Sequence, residues 1–143
     1  ALLPNDEQSK LLGIGKHYHP GKMEFGIKVG QEYIVFGITI LDGAPWVEIL
    51  SQSEEYVYSV PLCLFEIVDG SVSRHWVSNV DQIGNFFLWP ASFYKAYYHD
   101  DLSDGVPEVV KDFQRVRQLI VDEDSVKKGN VIDNANTHFS QGR

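Results

Sequence analysis

From position 32 to 41 the chain reads Glu-Tyr-Ile-Val-Phe-Gly-Ile-Thr-Ile-Leu, dense in the β-branched and aromatic residues that fit a pleated surface. Asp42-Gly43 follows, and because both positions tolerate positive φ a tight hairpin is expected there. Pro45 stiffens the turn, and Trp46-Val47-Glu48-Ile49-Leu50 is the returning strand. Further strand-like runs occupy residues 55–60, 65–68 and 75–80, separated by Pro61, by Asp69-Gly70 and by polar residues. Strands about ten to fifteen residues apart with no helical pattern between them form a meander or small barrel, since parallel βαβ units need a helix in each crossover. Gly37 in mid-strand marks a bulge or sharp coil. Upstream, Met23, Phe25, Ile27 and Val29 alternate as a strand does, and Lys28-Val29-Gly30-Gln31 reads as a turn.

The period changes after Gly84. Phe86-Phe87-Leu88-Trp89 leads into Pro90, suited to the first position of a helix, and residues 91–98 offer two helical turns. The clearest helix covers residues 107–121. Val106, Val109, Val110, Phe113, Val116 and Ile120 follow the i, i+3, i+4, i+7 rule, with Lys111, Asp112, Gln114, Arg115 and Gln118 on the other side. Asp104 is placed to cap its start, and Glu108 lies near the positive end of its dipole. Beyond Val121 the chain turns polar, and from Asn130 it shows no period, so an irregular tail is expected. These signals describe one α+β domain over residues 1–143. It has a β core at about 28–80, a helical part at 86–121 and a polar tail at 122–143. The sheet is expected to be antiparallel and strongly bent, with the C-terminal helix packed on it.

Charge narrows the function classes. Twelve basic against twenty acidic residues leave a net charge of −8, which makes nucleic acid a poor partner for a domain this acidic. An acidic surface keeps a protein soluble and also attracts a basic partner. The longest apolar runs fall far short of the roughly 20 residues that span a bilayer, so no membrane partner is expected. The first ten residues lack a basic start followed by an apolar stretch, although a chain that opens on Ala1 rather than Met is expected to follow a removed segment or tag. The lone Cys63 cannot form an intrachain disulfide, and its apolar neighbours point to a buried thiol. A cytoplasmic setting is the expectation.

Chemistry-bearing candidates are few. His17-Tyr18-His19 would put two imidazoles on one side of a strand, but His17 and His19 need a third ligand from elsewhere to hold an ion. His99-Asp100-Asp101 sets an imidazole beside two carboxylates, a pairing suited to acid–base work, although such loop neighbours usually point into water. Gly13-Ile14-Gly15-Lys16 lacks phosphate-loop spacing. No cofactor is implied. A surface candidate is better supported: Tyr56 and Tyr58 share one side of their strand, and with Glu54 and Glu55 they form an exposed acidic, aromatic patch if Val57 points inward. The alternative is a two-sided sheet in which these tyrosines are covered.

The segments Lys28-Val29-Gly30-Gln31-Glu32-Tyr33-Ile34-Val35-Phe36-Gly37-Ile38, Trp46-Val47-Glu48-Ile49 and Pro61-Leu62-Cys63-Leu64-Phe65-Glu66-Ile67-Val68-Asp69-Gly70 resemble uncharacterised bacterial proteins with a small SH3-like barrel. Some small acidic proteins of that look are immunity proteins, which neutralise a toxin by binding it. The resemblance implies a small SH3-like open barrel and supplies no functional residue. The expected function is a non-enzymatic protein-binding module, of the immunity type, that masks a basic surface. The alternative is a small enzyme or ligand-binding protein with a concave pocket holding at least two of His17, His19, His75 and His99.

Overall fold

A computed structural model describes residues 25–140, with side chains placed from Phe25 to Lys128. Strands β1 (Val35–Leu41), β2 (Ala44–Leu50), β3 (Val57–Pro61), β4 (Trp76–Val80) and β5 (Phe86–Pro90) form one antiparallel sheet in the order β3-β2-β1-β5-β4. Among the described residues the edge strands β3 and β4 do not pair with each other, so the sheet is open. A short helix α1 (Tyr98–Ser103) and a long helix α2 (Pro107–Ser140) follow, and 3-10 turns occupy Leu62–Leu64 and Ala91–Tyr94. The fold is α+β with a C-terminal helix packed on the sheet.

The β1–β2 hairpin is built as its residues require. Asp42 (φ 49°) and Gly43 (φ 79°) both take the left-handed conformation that matches the twist of the strands they join. The irregularity expected at Gly37 is present: Val35 pairs with Ile49 and Gly37 with Glu48, which leaves Phe36 as the extra residue of a bulge.

Paired residues share a side of the sheet, so the register sorts the side chains. Gly37, Thr39, Glu48 and Trp89 fall on one side, and Ile38, Val47, Ile49, Tyr58 and Val60 on the other. Each side has its own core. The first joins Phe36 and Val57 to Phe93, Phe113, Val116 and Ile120, which fastens α2 to the sheet along the stripe its period predicts. The second gathers Phe25, Val47, Ile49 and Val60, with Tyr33, Tyr58 and Phe65 against it, and Trp46 joins it although its pairing with Thr39 sets it on the other side by register.

Several expectations are corrected. Residues 65–68 are not a strand. β4 lies at the opposite edge of the sheet from β3, so residues 65–75 are spent crossing to it, and Ile67 and Val68 are exposed on the way. Phe86 to Pro90 is a strand and not a helix lead-in, because it fills the place between β1 and β4. Residues 91–98 are not two helical turns: a 3-10 turn ends at Tyr94, and Tyr97, left-handed at φ 60°, breaks the chain before α1. Asp104 closes α1 and does not cap α2. Cys63 is exposed. Phe25 and Ile27 pack on the second core without forming a strand.

The long helix does not end at Val121. Its acids have partners: Gln118 donates to Asp122, Lys128 pairs with Asp124, and Glu123 accepts from the Ser73 hydroxyl (2.6 Å) and the Arg74 N–H (2.9 Å). Side-chain pairs four residues apart support the helix, and Glu123 ties it to the loop ahead of β4.

Candidate functional site

Two concavities on the described surface meet at the turn between β2 and β3, sharing Gly26, Ser51, Gln52 and Tyr58. The turn is held by the Ser51 N–H donating to Tyr56 O (2.8 Å) and the Glu54 N–H donating to Ser51 O (3.0 Å), and Glu54 itself is left-handed at φ 62°. The first concavity is walled by Glu32, Tyr33, Glu54 and Tyr58, with Val121 of α2 at its border, and the second by Ser53, Tyr56 and Tyr58. Three of the four patch residues read from the sequence, Glu54, Tyr56 and Tyr58, therefore line this groove. Glu55 stands exposed beside it.

The side chains are not arranged as a simple outward-facing row. Val57 is buried against the α2-side core, while Tyr58 faces the opposite side, half-buried on the second core. Tyr56 precedes β3 and is 43% exposed. Burial raises the pKa of Tyr58, and the neighbouring Tyr33 and Tyr56 raise it further, which places three phenols together at the groove. The Tyr33 hydroxyl accepts the Lys28 N–H at 2.8 Å. Both carboxylates on the wall carry a cation from α2: Arg117 on Glu54, and Lys128 on Glu32 at 3.6 Å.

A second cluster was not visible in the sequence. Glu48, in the middle of β2, is 5% exposed, and its Oε1 lies 4.0 Å from His99 Nε2 on α1, beyond hydrogen-bond range. Glu48 Oε2 and His99 Nε2 are buried without a hydrogen-bond partner. Burial pushes the Glu48 carboxyl up to about 7, and burial pulls His99 down while Asp100 opposes it. Both shifts favour neutral groups, as desolvation requires. The imidazole sits among rings, 5.1 Å from Phe93, 5.6 Å from Trp89 and 5.7 Å from Tyr98, and the Trp89 indole N–H is taken by the Thr39 hydroxyl at 2.9 Å.

Gly37 makes this enclosure possible. A Cβ there would stand 2.7 Å from Trp89 Cδ1, 3.2 Å from Glu48 Oε2 and 3.3 Å from the Leu88 carbonyl oxygen. Gly37→Ala is therefore expected to lower stability by about 2–3 kcal/mol through overpacking, read as a thermal midpoint several degrees lower. An unchanged midpoint would contradict the tight packing of Trp89 over β1.

The other histidine candidates are scattered. His75 lies beside Arg74, 3.4 Å from its Nε, while His17 and His19 lie outside the described residues. Among the described residues no three His, Cys, Asp or Glu side chains group to hold a metal, and neither concavity is lined by a histidine. No helix among them is long and apolar enough to cross a membrane. Compared with protein-family models, with curated proteins and with solved structures, the chain matches none.

Proposed function

We propose that the protein is a non-enzymatic binding module whose groove at residues 51–58 receives a basic protein surface, and that it works as an immunity protein, masking such a surface on a toxin in the bacterial cytoplasm. One observation carries the reading: both concavities converge on the turn that bears Glu54, Tyr56 and Tyr58. Tyrosine is a favoured anchor in binding surfaces, because its ring buries area while its hydroxyl stays satisfied. Carboxylates at the rim steer a basic partner, and the chain's net charge of −8 adds a long-range pull of the same sign. Arg117 and Lys128 rest on Glu54 and Glu32, so a basic partner would displace them there, while Glu55 stands exposed beside the groove. We read the open sheet as an SH3-like barrel left unclosed between β3 and β4, with the groove along its β2–β3 end.

The test is kinetic. Glu54→Lys combined with Glu55→Lys is expected to slow association with an Arg-rich peptide about tenfold at low salt and to flatten its salt dependence, measured by stopped-flow fluorescence. Equal rates for the two proteins at low salt would contradict the groove as the docking site. A second reading, a small enzyme or ligand-binding protein, draws on the Glu48–His99 pair, where a buried carboxyl approaches an imidazole whose Nε2 is buried while its ring stays partly exposed. Neither concavity reaches that pair, so the binding reading is preferred.

A further inference from the structure

The two edges of the sheet are finished differently. β3 ends in Pro61, which has no N–H to offer a further strand. β4 has none of the features that keep an edge strand from pairing. Trp76-Val77-Ser78-Asn79-Val80 contains no charge and no proline, in a chain of which 22% is charged, and its register with β5 runs without a bulge. Among the described residues no strand pairs with its outer side, and Val77, Ser78, Asn79 and Val80 are all exposed.

The ladder tells which backbone groups face outward. The Asp81 N–H donates to Asn85 O, which carries the β4–β5 register one residue past Val80 and Phe86. Because residues alternate in an antiparallel ladder, Val77 and Asn79 bond to β5, while Trp76, Ser78 and Val80 turn their N–H and C=O groups away from it. The Trp76 N–H is drawn to Ser73 O at 3.3 Å and the Val80 N–H to the Asn79 side chain at 2.9 Å. The Ser78 N–H and the three outward carbonyls keep no ladder partner among the described residues.

We propose that β4 pairs with β4 of a second copy of the chain, antiparallel about a two-fold axis at Ser78, so that two five-stranded sheets run on as one. The edge selects this partner and this register. Outward residues must meet outward residues, and only pairing about Ser78 matches all three: Trp76 with Val80, Ser78 with Ser78, and Val80 with Trp76. The flanks complement each other in charge. His75 and Arg74 precede the strand and Asp81 follows it, so the two-fold sets His75 of each copy opposite Asp81 of the other, and Arg74 opposite Gln82. Trp76 covers Val80, which is 59% exposed in the single chain, and the turn bearing the exposed Ile83 comes beside the approach bearing the exposed Val72. The groove beside β3 lies at the other edge of the sheet, so pairing is independent of what that groove binds.

Sedimentation velocity from about 5 to about 300 µM is expected to show a monomer–dimer equilibrium in that range, the strength that a five-residue strand pair with a small apolar border supports. Two substitutions separate pairing from folding. Val80→Lys puts a charge on an exposed side chain opposite Trp76, and Ser78→Pro removes the outward N–H while the bonds to β5 stay. Each is expected to weaken the dimer about tenfold or more with an unchanged far-UV circular dichroism spectrum. The register is read by cross-linking in a Cys63→Ser background, since Cys63 is exposed. Val77 of one copy lies opposite Asn79 of the other, so a mixture of the Val77→Cys and Asn79→Cys proteins is expected to form disulfide dimers faster than either protein by itself. A chain monomeric at the highest concentration would overturn the proposal, whether β4 stays bare or, as slow exchange of the Ser78 amide would then show, residues 1–24 cover it. So would a dimer untouched by both Val80→Lys and Ser78→Pro, or cross-linking no faster in the mixture than in the separate proteins.

Discussion

Phe113→Ala is expected to lower the free energy of unfolding by about 3–5 kcal/mol, among the larger losses that a single truncation produces. Phe113 is 2% exposed and its ring stacks on Phe93 at 6.4 Å, in the core that also takes Phe36 and Val57 from the sheet and Val116 and Ile120 from the same helix. Removing the ring takes away its transfer free energy and leaves a void bounded by helix and sheet, two rigid walls that close poorly around it. Denaturant unfolding at constant slope gives the number. A loss below about 1 kcal/mol would mean that α2 is not held to the sheet through this residue.

The second large effect depends on pH. In the fold the Glu48 carboxyl titrates at about 7, and in the unfolded chain near 4.5. As pH rises between those values the unfolded chain gives up this proton while the folded protein keeps it, so Glu48 costs stability progressively, and the full cost is present above about pH 7. Gln at this position does not titrate. The stability of Glu48→Gln relative to the parent is therefore expected to grow by about 3 kcal/mol between pH 4.5 and pH 8. Chemical denaturation at a series of pH values follows the difference. A difference that stays constant over that range would show that the carboxyl is solvated in the fold.

What could be read from residues alone divides along physical lines. The hairpin at Asp42-Gly43, the bulge beside Gly37 and the apolar stripe from Val109 to Ile120 were legible because local chemistry decides each of them. Phe86 to Pro90 was misread because its role comes from its neighbours: β1 and β4 recruit it as a strand, and nothing within those five residues signals the pairing. Residues 65–68 carry strand composition yet cross the molecule, since topology sends them to the far edge of the sheet. The long helix outran its stripe because Asp122, Glu123 and Asp124 find partners four residues away or in the β4 approach.

The same division holds for the sites. Glu54, Tyr56 and Tyr58 lie close together in the chain, so their gathering at one turn was visible. Glu48 and His99 were not, because alternation along Trp46-Val47-Glu48-Ile49-Leu50 assigns the carboxylate to a solvent face. That face is covered only when α1 folds back over Trp89. A charged residue in the strand that lies between two others was the one available hint.

Whether the turn between β2 and β3 receives basic groups is read by titrating isotope-labelled protein with an Arg-rich peptide and following every backbone amide by NMR. Shifts are expected at Gln52, Ser53, Glu54, Tyr56 and Tyr58, lost in high salt and lost in the Glu54→Lys, Glu55→Lys protein. Shifts spread over Asp100, Asp101 and Asp122 with the groove silent would contradict it.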